Sequence, residues 1–175
     1  AAELLLYGTG WQVATATPDD TIYEALAGDD ADPAVPGYDP DLSAELYTTN
    51  GETTNHLGAR HGVLAYTPEL DTCEAAEAIS PDDAFGAGYC AENGLSVFEF
   101  PDDEALVQAV FAKNLPLALD VARSAADPAN PVSSLGRTAP DFVIDSFDVS
   151  YGSPQPVAVE MKRSLRDAKV HVSVN

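Results

Sequence analysis

Apolar residues fall in short blocks separated by polar, turn-forming stretches, and the period of each block predicts an element. Residues 3–7, Glu-Leu-Leu-Leu-Tyr, give a short buried strand closed by Gly8 and Gly10. Thr17-Pro18-Asp19-Asp20 starts a helix, with acids at the positive end of its dipole, that runs from Ile22 to Ala27 and stops at Gly28. Residues 29–40, rich in Asp, Pro and Gly, read as a loop, after which Asp41 or Ser43 caps a turn or helix leading to Leu46 and Tyr47. The wholly polar residues 48–55 read as an ordered surface loop. Val63-Leu64-Ala65-Tyr66 reads as a strand buried on both faces and ended by Pro68-Glu69-Leu70. Residues 71–94 read as a second loop region.

The clearest helix start is Pro101-Asp102-Asp103-Glu104, followed by Leu106, Val110, Leu117 and Val121 near helical spacing, with Arg123 at the far end. Pro116 predicts a kink or break in it, because an interior proline removes a hydrogen bond at a cost of about 3 kcal/mol. Residues 127–140 hold three prolines and read as a linker. The period then changes to two, and 142–144, 157–159 and 170–174 read as strands joined through the Gly152-Ser153-Pro154 turn. The expected fold class is α/β over residues 1–126, a partial mixed sheet with helices, a linker over 127–140, and the start of an all-β, sandwich-like domain over 141–175. Both ends read as cuts: Ala1 leads straight into an apolar run with no basic segment before it, and the last residues still alternate.

Composition narrows the partners. The net charge is −21, from 29 acids and 8 bases, which argues against nucleic acid and anionic membranes, both of which need clustered Lys and Arg. An acidic solvated surface keeps a protein soluble at high ionic strength, where salt screens self-repulsion. No unbroken run of 18 apolar residues occurs, so no membrane span is expected. Cys73 and Cys90 fit one disulfide in a secreted, extracellular protein, or two reduced thiols. No ordered calcium-loop pattern is present.

Few residues suggest chemistry by type and place. Glu69 follows a buried strand, and ligand sites of open α/β sheets lie outside the carboxyl ends of strands. A partly desolvated carboxylate there exchanges protons near neutrality; alternatively, Glu69 is one more surface acid. His56 and His61 lie near Glu52, but a spacing of five does not share one α-helical face, so they read as polar loop residues rather than a metal pair. Asn50-Gly51 is a tight-turn dipeptide, Ser133-Ser134 lacks the partners of a nucleophile, and His171 reads as an ordinary strand residue.

Three segments, in order, resemble zinc carboxypeptidases of the carboxypeptidase A type. Leu4-Leu5-Leu6-Tyr7-Gly8-Thr9-Gly10-Trp11 is similar to the strand that follows the last zinc-binding histidine. Tyr47-Thr48-Thr49-Asn50-Gly51-Glu52-Thr53-Thr54-Asn55 is similar to the mobile tyrosine and the specificity loop, and Tyr66-Thr67-Pro68-Glu69-Leu70 to the segment carrying the catalytic glutamate. Tyr47 precedes Glu69 by 22 positions, the family's separation. The resemblance spans residues 1–125 and corresponds to the C-terminal half of the catalytic domain; residues 138–175 look like the start of the β-domain of some secreted bacterial members.

The resemblance implies a hydrolase that removes C-terminal amino acids from peptides or proteins, with Glu69 as general base on a zinc-bound water. It implies that Tyr47 closes over the substrate and that Thr54 and Thr67 line the side-chain pocket. The zinc ligands and the carboxylate-binding arginines would lie upstream of Ala1, so the 175 residues alone would not be catalytically complete, and no metal ligand is assigned within them. Gly8, where many relatives have proline, and Thr54, more polar than its usual counterpart, depart from the pattern and leave the side-chain preference open. A non-catalytic acidic binding module and a pseudo-peptidase without ligands are the competing readings.

Overall fold

The computed structural model describes residues 4–7, 17, 19–46, 48, 51–79, 88–92, 100–101, 103–144 and 152–171. They form a mixed α/β fold with a small mixed sheet and several helices. Strand β1 (Leu4–Tyr7) is central. It pairs in parallel with β4 (Asp39–Leu42) and antiparallel with β5 (Tyr66–Pro68), giving the order β4-β1-β5. Helix α1 (Asp20–Ala27) and a small ladder of β2 (Gly28–Asp29) with β3 (Asp32–Pro33) make the crossover from β1 to β4. Short helices α2 (Ser43–Leu46) and α3 (Thr53–His56), with a wide turn over Leu57–His61, lead to β5. Helices α4 (Cys73–Ile79), α5 (Tyr89–Glu92) and the long α6 (Glu104–Ser124) follow, then the ladder of β6 (Phe142–Ile144) with β7 (Val159–Met161).

Alternation along the strands divides the sheet into two faces. Leu5 and Tyr7 of β1 face the helices and join Tyr23, Ala27, Val35, Tyr38 and Leu117 in the main core, with Leu42, Leu64, Tyr66 and Val121 at its margin. Three tyrosines form its centre. The rings of Tyr7 and Tyr23 stack at 5.0 Å, and Tyr66 meets Tyr23 edge-on at 5.1 Å, offset and T-shaped geometries that aromatic quadrupoles favour. A second cluster joins α4, α5 and α6 through Cys73, Ala76, Cys90, Leu106 and Val110. Cys73 and Cys90 are linked by a disulfide with Cα atoms 5.8 Å apart.

Helix boundaries follow from local chemistry. Asp103 caps α6, its carboxylate accepting from the N–H groups of Ala105 and Leu106. Gly28 ends α1 at φ 85°, and a Cβ there would lie 2.2 Å from the Asp32 carbonyl oxygen, so only glycine fits this reversal.

Several expectations need correction. The loop expected over 29–40 contains β3 and the start of β4. Asp-Pro-Asp-Leu becomes a strand because β1 supplies its hydrogen bonds, and Pro40 is tolerated because β4 is an edge strand. The strand expected from Val63 starts at Tyr66; Val63 is 46% exposed and residues 62–65 make no ladder. The polar loop continues into α3 at Thr53, and residues 71–94 include α4 and α5. Pro116 neither breaks nor ends α6. Ala112 and Pro116 lie on an exposed part of the helix, where a carbonyl deprived of its N–H donor is accessible to solvent and the loss costs less than in a core.

The stretch read as a linker is tied down. Ser124 Oγ accepts from the Val132 N–H at 2.8 Å, Asp120 accepts from the Ser134 N–H, and Arg137 pairs with Asp29 at 2.9 Å. The second strand of the tail lies two residues later than expected, at 159–161. His171 is exposed and outside any strand, while residues 172–175 lie outside the described residues; among the described residues the tail has the two-stranded β6–β7 ladder, and the expected all-β domain is not shown.

Helix α6 also modifies the membrane expectation. Judged by length and a mean hydropathy of 1.3, it is long and apolar enough to cross a bilayer. Its inner face instead holds charges paired within the protein, Lys113 with Asp71 and Asp120 with Arg123.

Candidate functional site

The sheet face turned away from the helices follows from the register. Leu6 pairs with Thr67 on one side and Asp41 on the other, and directly opposed residues share a face. Leu6, Thr67 and Asp41 therefore form a row opposite the aromatic core. Pro68 pairs with Leu5, so Glu69 emerges just past the carboxyl end of β5, beside the amino end of β1. Glu69 is half-buried and sits two residues beyond Thr67, about 7 Å along an extended chain.

Thr54 belongs to the other end of β1. The Glu52 side chain caps α3, accepting from the N–H of Thr54 at 2.8 Å, from the N–H of Asn55 at 2.9 Å and from the Thr54 hydroxyl. Ser43 Oγ donates to the Tyr7 carbonyl at 2.9 Å and lies 3.5 Å from the Thr54 hydroxyl. Thr54 is thus buried, with its hydroxyl already engaged. It can shape a pocket wall but has no free donor for a ligand. Thr67 and Glu69 share one strand end, Thr54 sits at the opposite end of β1, and Tyr47 lies outside the described residues. The Cys73–Cys90 bridge belongs to the α4–α6 cluster.

Sequence reasoning missed Leu6 and Asp41 as neighbours of Thr67. Only the pairing of three strands distant in sequence brings them together; a period-two reading of Leu4–Tyr7 would at least have separated Leu6 from Leu5 and Tyr7. Burial pushes the Asp41 carboxyl up to about 6, helped by the nearby charges of Asp39, Glu45 and Asp30 and by a hydrogen bond shared with Glu45. Desolvation and the Asp30 charge raise Asp39 as well.

The sign for Asp41 is fixed by linkage. Its folded pKa exceeds the unfolded value of 3.8, so the folded state holds the proton longer, and stability falls as pH rises from about 4 to about 6. Asp41→Asn should therefore be nearly neutral below pH 4 and stabilise the chain by about 1 kcal/mol above pH 6.5, after allowance for solvent screening. Urea unfolding at the two pH values checks this, and an equal effect at both would show that the carboxyl is not the titrating group.

Two histidines need a correction. Leu57–His61 is a π-helical turn with i→i+5 hydrogen bonding, closed by Gly62 at φ 63°. Residues five apart then do share a face, and the rings of His56 and His61 meet edge-on at 5.2 Å. Glu52 is occupied as the cap of α3. Among the described residues no group of three or more His, Cys, Asp and Glu side chains gathers as a metal site, so those residues do not by themselves provide for a zinc ion.

Among the described residues, cavities of about 270 and 230 Å³ open on the helix side of the sheet. The larger lies between Tyr66, Leu26 and Val121, the smaller beside Asp19 and Arg163, and neither is lined by Thr54, Thr67 or Glu69. Comparison with protein-family models and with curated proteins finds no match to this chain.

Proposed function

We propose that this chain carries the general base and the side-chain pocket of a hydrolase of the zinc carboxypeptidase type, acting on the C-termini of peptides or proteins in a secreted setting. The observation that carries the reading is the placement of Glu69, half-buried just past the carboxyl end of β5 and two residues beyond Thr67. Three further features support it. The chain segments resembling the family's strand and glutamate segment are direct sheet neighbours, β1 and β5. Thr67, half-buried on the sheet face away from the aromatic core, supplies a polar group close to Glu69 in the chain. The disulfide fits an oxidising compartment.

In this reading Glu69 accepts a proton from the attacking water and returns it to the leaving amine, while Thr67 lies beside the C-terminal residue and Tyr47 covers it. Among the described residues no side chains gather to hold zinc; a metal bound beside Glu69 would supply activation of the water and polarisation of the carbonyl. The β6–β7 ladder would begin the attached β-domain. In the protein that carries this chain, Glu69→Gln should reduce release of C-terminal amino acids at least about 100-fold without altering the fold seen by circular dichroism. Release at the parental rate would remove the reading.

A further inference from the structure

We propose that two copies of this chain associate antiparallel through α6, across the row Val107, Phe111, Leu115 and Leu119. These residues recur every four positions on the outer side of the helix and are 44, 58, 37 and 42% exposed. Between Glu104 and Arg123 every exposed residue of α6 is uncharged, including Gln108, Ala112, Ala118 and Ala122. The chain as a whole carries a net charge of −21, and this helix face contributes none of it. A continuous apolar helix face in such surroundings marks an interaction site.

The sequence of the row selects the occupant. A twofold axis passing near Lys113 sets Val107 against the partner's Leu119 and Phe111 against the partner's Leu115, and each contact is repeated by symmetry. The same axis brings acidic Asp103 and Glu104 at one helix start to the partner's Arg123 at the other helix end. Arg123 is 59% exposed and bonds Asp120 through one nitrogen, leaving further guanidinium donors. Lys113 does not repel its copy at the axis, because it is turned inward to Asp71 at 2.6 Å. The surface is therefore complementary to itself in both shape period and charge. A parallel pairing would set like charges together at each end. The association is independent of the role proposed for Glu69.

A single helix pair buries less than a standard stable interface, so the affinity should be modest. Sedimentation of the full 175-residue chain from about 10 to 500 µM in about 0.15 M salt tests it. The expected result is a concentration-dependent rise from 18.3 kDa toward twice that mass. Phe111→Gln, on the exposed side and neutral in charge, should weaken association at least 10-fold while leaving the melting temperature of dilute protein unchanged. Glu104→Arg and Arg123→Glu should each weaken it, and the double variant should restore it. A constant 18.3 kDa at every concentration overturns the proposal. So does association indifferent to Phe111→Gln, a double charge swap that fails to rescue, or a monomer whose α6 binds neutral phosphatidylcholine vesicles.

Discussion

Asp71→Ala should lower the stability of the folded chain by about 3–5 kcal/mol, the loss expected when one partner of a buried ion pair is removed. Asp71 is fully buried at the entry to α4, and the Lys113 side chain is 8% exposed on α6. Their 2.6 Å contact joins the disulfide-linked segment to the long helix. The Lys113 ammonium also lies 4.6 Å from the centre of the Tyr38 ring, so this one cation ties the two core clusters together. With the carboxylate gone, the ammonium keeps the Tyr38 ring as its partner among the described residues, and burial of an unpaired charge is the dominant penalty. Lys113→Met should cost a similar amount, because it strands a carboxylate whose second oxygen already lacks a partner.

The double replacement Asp71→Leu with Lys113→Met should be less damaging than either single change, since an apolar pair of similar volume avoids the desolvation penalty. Urea midpoints at unchanged slope would measure all three. Single losses below about 1 kcal/mol would show that solvent reaches the pair and that it acts as a surface contact.

Reduction of Cys73–Cys90 should cost about 3 kcal/mol, which for a chain of this length corresponds to a fall in melting temperature of about 6–12 °C. The bridge closes a loop of sequence separation 17, and both cysteines are buried against Leu106 and Val110. Glu77 reinforces the same junction. Its carboxylate accepts from the N–H groups of Gly88, Tyr89 and Cys90 at the start of α5, and those bonds hold it below the usual carboxylate range. Because α5 is a single turn, it depends on this cap and on the bridge for its position. Melting with and without a thiol reductant gives the measurement. Identical curves would mean that the Glu77 cap and the Leu106–Val110 contacts suffice to hold α5.

What the sequence made legible was local. The Asp103 cap, the Gly28 stop and the apolar spacing of Leu106, Val110 and Leu117 each have their cause within a few residues, and the structure places the elements accordingly. What it concealed depended on distant partners. Asp39-Pro40-Asp41-Leu42 has loop composition and becomes a strand only beside β1, whereas Val63-Leu64-Ala65 has strand composition and becomes an irregular segment whose apolar groups line a cavity wall. At Pro116 the helix continues, so of the kink or break expected there the break does not occur.

The π-helical turn at Leu57–His61 has no periodic signature that five residues could reveal, so the face shared by the two histidines was missed. At the candidate site, Glu69 and Thr67 were readable as a strand end. Their neighbours Leu6 and Asp41 were not, because register is a property of three segments at once.

Both outer strands of the sheet carry a proline, Pro40 in β4 and Pro68 in β5. An uncovered strand margin ordinarily invites strands of other molecules to add on, the first step toward fibrils. A margin with one amide missing offers an interrupted row of donors, and strands this short leave little room to resume beyond the gap. Among the described residues each outer strand is thereby a poorer template for open-ended growth, a safeguard written in ring closure rather than in charge.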